Sequence, residues 1–139
     1  MKNKKTKNEG FTLVELLVVM AIIALLAGLS LFALQGARSQ GRDAKRKSDL
    51  ETIRSALEIY KADCNVYPAS IPNPGNKITG TCTGSTNTYL EDTPGDPSTG
   101  NKYPYSSSGT TYRLCAELEE PGPSDTCSIA GGNYEVTNP

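Results

Sequence analysis

The chain has no histidine, and none of its four cysteines stands in a CxxC pair. That inventory argues against a zinc site, which draws on imidazole and paired thiolates. It also removes most enzyme chemistry. There is no His to serve as general base, no Gly-rich phosphate loop and no nucleophile elbow. The adjacent acids Glu119 and Glu120 are read as exposed, with no evident cleft, and no cofactor is implied. Proline is also missing from the first 67 residues, so nothing there forces a helix to break. Long apolar runs are missing after residue 34. The rest of the chain is rich in Gly, Pro, Ser, Thr and Asn, so a globular part built from it has a thin core and needs staples.

Charge is unevenly placed. Residues 1–10 carry +3, residues 11–34 carry −1, residues 35–62 carry +3 and residues 63–139 carry −6. An acidic head on a basic stalk does not fit a nucleic-acid binder whose head does the binding. Tyr103, Tyr105 and Tyr112 are therefore read as hairpin partners in preference to a sugar- or DNA-stacking platform.

The cysteines Cys64, Cys82, Cys115 and Cys127 all follow the apolar stretch. An even count in a small exported segment favours two disulfides in an oxidising compartment, against four free thiols. Of three possible pairings, the sequence-local one is expected: Cys64–Cys82 and Cys115–Cys127. Each would stabilise the head by about 3 kcal/mol through loop closure in the unfolded chain.

The one long apolar run is FTLVELLVVMAIIALLAGLSLFAL, residues 11–34. As a helix its 24 residues would span roughly 36 Å, enough to cross a bilayer core. Four lysines precede it, favouring a cytoplasmic start. Arg38, Arg42, Lys45, Arg46 and Lys47 follow it, which weakens a simple charge rule, and the disulfides place the head outside. Ala24, Ala27 and Gly28 would suit a conventional signal cleavage releasing a soluble head. Against this, the helical pattern continues. Ala44, Lys47, Leu50, Ile53, Leu57 and Tyr60 recur at three-or-four spacing, with Asp43, Glu51, Arg54, Glu58 and Lys61 on other faces. This predicts one helix over about 11–62, apolar in front and amphipathic behind. Residues 63–102, with five Pro and five Gly, read mainly as loop. Strands are expected at 103–107, 111–118 and 133–137, with Ser108-Gly109-Thr110 as a hairpin turn. The fold class is α+β: a long helix packed on a small antiparallel sheet.

Glu15 is the only charge inside the apolar run. A carboxylate at a membrane helix centre costs roughly 2.5–3.5 kcal/mol on insertion scales. It lies four residues after Phe11, about one helical turn, so a new amine at Phe11 could pair with it in the same chain or a neighbour. Such a pair is favourable in apolar surroundings only when both partners are present. Ala21, Ala24 and Gly28 share a face at small-residue spacing that permits close helix approach.

Gly10-Phe11-Thr12-Leu13-Val14-Glu15-Leu16-Leu17-Val18-Val19 resembles the processed segment of the type IV pilin family, including type II secretion pseudopilins. The resemblance implies cleavage between Gly10 and Phe11 by a prepilin peptidase and methyltransferase, with N-methylation of Phe11. It also implies assembly into a homo-oligomeric filament through Phe11, Glu15 and the apolar helix. Implied partners are membrane lipid, an inner-membrane assembly platform and minor pilins. The implied location is a bacterial inner membrane, single-pass, then a periplasmic or cell-surface filament. The expected organisation is a removed leader at 1–10, a transmembrane and filament-core helix at 11–34, an amphipathic helix at 35–62 and a stapled β head at 63–139. Many family members carry Pro in mid-helix where this chain has Leu31-Phe32. Pro94-Gly95-Asp96-Pro97 followed by Tyr103 and Tyr105 resembles the loop and hairpin of major pseudopilins, some of which bind calcium nearby. Glu91, Asp92 and Asp96 are the candidate oxygen ligands, with an acidic surface loop as the favoured alternative. A pilus, a secretion pseudopilus, a DNA-uptake filament and an anchored non-polymerising binding module remain open at this point.

Overall fold

The computed structural model describes residues 10–82, 84–123, 126–129 and 131–138, and only the backbone of residues 30–33. Residues 1–9 of the expected leader, and the side chains of Leu31 and Phe32, lie outside the described residues. The chain divides into two compact units, Met1–Ala37 and Arg38–Pro139.

Helix α1 runs Leu13–Cys64 and contributes to both units. It starts two residues later than the apolar pattern because Thr12 caps it. It stops where Asn65 takes a left-handed backbone (φ 59°) and donates its N–H to the Lys61 carbonyl at 2.9 Å. Asn tolerates that conformation better than most residues, and the bond satisfies a terminal carbonyl.

In the first unit, α1 buries none of its apolar side chains among the described residues. Leu13, Val14, Leu16, Leu17, Val18, Val19, Met20, Ile22, Ile23, Leu25, Leu26 and Leu29 are all exposed. The helix is long and apolar enough to cross a membrane.

In the second unit, α1 packs on two small antiparallel sheets. Strands β1 (Ile78–Thr81) and β2 (Thr86–Leu90) form one; β3 (Tyr105–Ser107), β4 (Tyr112–Ala116) and β5 (Tyr134–Thr137) form the other, with β4 central. Registers Tyr105↔Leu114 and Leu114↔Val136 bring alternate residues to the inner face. The core joins Leu50, Ile53, Ala56 and Leu57 of α1 to Tyr67, Ile71, Ile78, Tyr103, Tyr112, Leu114, Leu118 and Val136. The hairpin turn falls at Ser108–Thr111, where the Ser108 N–H donates to the Thr111 carbonyl at 3.0 Å and Gly109 takes φ 88°.

Three expectations need correction. The β1–β2 hairpin lies inside the stretch read as loop, because its Thr- and Asn-rich strands lack an apolar alternation. The strands expected at 103–107 and 111–118 are shorter, Tyr105–Ser107 and Tyr112–Ala116. The rear helix also turns differently from its pattern. Ala44 and Lys47 are exposed, whereas Asp43, Arg46 and Asp49 are buried. Before Leu50 the helix faces polar loops, so the apolar face extrapolated backward from the core points the wrong way there.

Candidate functional site

The segment expected to carry processing and assembly is exposed. Phe11 is 86% exposed, and a Cβ placed on Gly10 would meet no atom within 4 Å. Thr12 and Glu15 form a reciprocal cap on the first turn of α1. The Thr12 backbone N–H donates to Glu15 Oε2 at 2.9 Å, and its hydroxyl donates to the same oxygen at 2.7 Å. The Glu15 N–H donates back to Thr12 Oγ1 at 3.3 Å. This is the Thr-x-x-Glu capping box, which satisfies helix-terminal N–H groups reciprocally. Glu15 Oε1 makes no hydrogen bond among the described residues. The positive end of the helix dipole further favours a carboxylate here. The lone charge marks Glu15 in the sequence; Thr12 is not among the expected site residues, and the signal for it is the Thr-x-x-Glu spacing.

A second constellation holds the head to the rear helix. Arg46, with 4% of its side chain exposed, is its hub. Its Nη1 donates to Asp43 Oδ1 at 2.7 Å and to Glu119 Oε1 at 3.1 Å. Its Nε donates to Asp96 Oδ2 at 2.6 Å and its Nη2 to Ser98 Oγ at 2.9 Å. Asp43 in turn accepts the backbone N–H groups of Glu119 (3.0 Å) and Glu120 (2.9 Å). Arg42 pairs with both oxygens of Glu119, and Ser39 donates its hydroxyl to Glu120 Oε1 at 2.6 Å.

These partners set the ionisation of the acids. Burial opposes the charged form of Asp96, but Arg46 and the N–H groups of Thr99 and Ser98 outweigh it and hold its pKa down at about 2. The hydrogen bond from Arg42, with Arg46 behind it, holds Glu119 at about 2 against burial. Burial also opposes charged Asp43, and the N–H groups of Glu119 and Glu120 with Arg46 keep it below the usual range. Tyr103 lies deeper. Its hydroxyl donates to the buried Asp49 at 3.0 Å, and burial and that carboxylate push its pKa up. Tyr67 is raised to about 12 by burial and by donation to Glu58.

The calcium candidates are not brought together. Glu91 pairs with Lys77, Asp92 is exposed, and Asp96 is committed to Arg46 and to the Ser98 and Thr99 N–H groups. Among the described residues, one trio of potential ligand atoms lies within 4.8 Å: Cys115, Cys127 and Glu135. Its two sulfurs are already joined. The disulfides are Cys64–Cys82 and Cys115–Cys127, the sequence-local pairing. The first ties the end of α1 to the β1–β2 hairpin; the second closes the loop between β4 and β5.

A membrane-length helix with a capped carboxylate in its first turn, followed by an α+β head, defines a pilin-like chain. Comparison with known proteins narrows this. The profile of the prokaryotic N-terminal methylation motif matches residues 5–31, and that of type II secretion system (T2SS) protein G matches residues 33–138. The chain belongs to the type II secretion protein G family, the pseudopilins. It is 31% identical over 150 aligned positions to the type II secretion system core protein G of Pseudomonas aeruginosa, covering 95% of this chain and 99% of the relative. It is 30% identical to the Vibrio cholerae protein of the same name, covering 96% of each. The Aeromonas hydrophila protein is 37% identical over 67 residues, 48% of this chain and 47% of the relative. No solved structure matches the chain.

Proposed function

We propose that this chain is a structural subunit of a type II secretion pseudopilus, cut between Gly10 and Phe11 and polymerised through α1. One observation carries the reading: an apolar helix surface that is uncovered on all sides among the described residues carries a single carboxylate, Glu15, in its first turn. Lipid covers that surface before assembly, and neighbouring helices cover it afterward. The subunit starts as a single-pass protein of the bacterial inner membrane with residues 63–139 outside. Cutting creates a cationic amine at Phe11, which methylation leaves charged. The open Oε1 of Glu15 then offers a partner to that amine in the same chain or in a neighbour. The assembly platform and minor pseudopilins are the partners this reading requires.

Two measurements test it. N-terminal sequencing of the mature protein is expected to begin at Phe11, and a start at Met1 would overturn processing. Glu15→Ala is expected to insert and be cut but to yield few or no filaments by electron microscopy. Normal filaments from that variant would remove the ion-pair role.

A further inference from the structure

Residues Glu117–Gly122 cross the rear helix as a strap, and every contact described above between this strap and turns 39–46 is polar or ionic. The apolar core begins only at Leu50. Behind the strap the chain is fixed. The Leu118 N–H donates to Asn133 Oδ1 at 2.6 Å, Asn133 Nδ2 donates to the Leu118 carbonyl at 2.8 Å, and Cys115–Cys127 closes the loop. The planar peptide shares its Leu118 carbonyl with Asn133 and its Glu119 N–H with Asp43, so that unit stays in place, and the strap can lift from α1 only through the Glu119 side chain and the chain from Glu120 onward. Lifting costs Arg46 one of its four partners, because Asp43, Asp96 and Ser98 stay with it. It costs Arg42 the carboxylate that both its donating nitrogens use.

Arg42 then joins two cations on its own face of α1. Arg38, Arg42 and Lys45 stand at i, i+4 and i+7. The Arg38 side chain is exposed with no ion pair or hydrogen bond among the described residues, and the Lys45 side chain is 60% exposed while its Nζ pairs with Asp49 at 2.6 Å. Arg38 comes four residues after Leu34, the end of the apolar run, about 6 Å of helix rise. We propose that Glu119 is a releasable internal counter-anion on a headgroup-binding turn: closed, it neutralises Arg42 while Glu120 holds Ser39; open, the strap yields Arg42, with Arg38 and the exposed Lys45, to the phosphates of anionic phospholipids. The proposal rests on the reading that the apolar front of α1 sits in a bilayer. Juxtamembrane cations are drawn to anionic lipid by charge, and the strap supplies the same charge from within. A closed strap leaves the subunit less tightly held to the membrane it must leave.

The test uses the full chain in lipid nanodiscs, one set of phosphatidylcholine and one with about one-third phosphatidylglycerol. The readout is hydrogen exchange at the Glu120 amide, bonded to Asp43, against Leu114 and Val136 in the core. Anionic discs are expected to speed exchange at 120 by about tenfold and leave the core amides unchanged. Arg42→Gln is expected to abolish the difference between the two lipids. Equal strap exchange in both lipids, or a difference that survives Arg42→Gln, would overturn the proposal alone. A chain that enters neither disc would overturn it together with the membrane reading.

Discussion

Replacing Arg46 by Met tests whether one buried guanidinium fastens the head to the helix. The Arg46 side chain is 4% exposed, and its acid partners Asp43, Asp96 and Glu119 are 10%, 14% and 34% exposed. Removing one partner of a buried ion pair costs about 3–5 kcal/mol, because the remaining charge stays desolvated. Here the carboxylates keep other donors: Asp43 the two strap N–H groups, Asp96 those of Ser98 and Thr99, Glu119 the Arg42 fork. The loss therefore belongs at the lower end, about 3 kcal/mol. For a head of this size that lowers Tm by roughly 12–24 °C. Urea unfolding of the full chain in mild detergent, followed by tyrosine near-ultraviolet dichroism, reads the head separately from the membrane helix. Arg46→Lys keeps the charge but loses the fork, and is expected to cost about half as much. Adding Asp96→Asn to Arg46→Met should recover about 1 kcal/mol, since one stranded charge is gone. If Arg46→Met unfolds within about 0.5 kcal/mol of the parent, the hub reasoning is wrong.

Three further outcomes follow from contacts within the head. Replacing Cys64 and Cys82 by Ser opens an 18-residue separation and is expected to cost about 3 kcal/mol in the loop-entropy picture, read as a lower urea midpoint. The acids Asp96 and Glu119, held at about 2, and the lowered Asp43 contribute stability above their ordinary values of 3.8 and 4.5. That contribution is lost as pH falls through about 2, so stability should be level between about pH 5 and 9 and decline between about 4.5 and 2. A decline that starts well above pH 5 would point to other groups. Gly80→Ala places a Cβ 2.5 Å from Tyr60 Cε2 and 3.2 Å from Tyr89 Cε2, and the forced shift of that ring pair should cost about 1–3 kcal/mol in thermal unfolding.

The parts legible in the sequence were those with a period, a spacing or a count. The apolar run gave α1, the Tyr and Val alternation gave the β3–β5 sheet, and four cysteines at short separations gave both disulfides. The β1–β2 hairpin escaped because Thr79, Thr81, Thr86 and Thr88 are exposed and Ile78 alone of its residues is fully seated in the core. A strand that buries so little writes little into its pattern. Arg46 escaped for a different reason. Five basic residues between 38 and 47 look alike in sequence, and which of them is buried depends on loops around residues 96 and 119, far along the chain. An i, i+3 spacing puts Asp43 and Arg46 on one side of a helix, but spacing alone does not say that this side is covered.

Glu15 poses the question of whether its charge or its cap matters for assembly, and the capping box supplies a way to separate them. Glutamine serves at the third position of such a box as glutamate does, since either can accept from the cap residue's N–H. Glu15→Gln therefore keeps the first turn of α1 closed on Thr12 and removes only the charge. Thr12→Ala does the reverse, keeping the charge and losing a cap worth about 1 kcal/mol. If pairing with the Phe11 amine drives addition of subunits, Glu15→Gln should fail to form filaments as fully as Glu15→Ala, while Thr12→Ala should assemble with a modest loss. Both variants should be cut normally, which sequencing from Phe11 would check. Filaments from Glu15→Gln in normal number, with Thr12→Ala defective, would reverse the assignment: the carboxylate would then serve to close the helix start, and the amine at Phe11 would have some other partner.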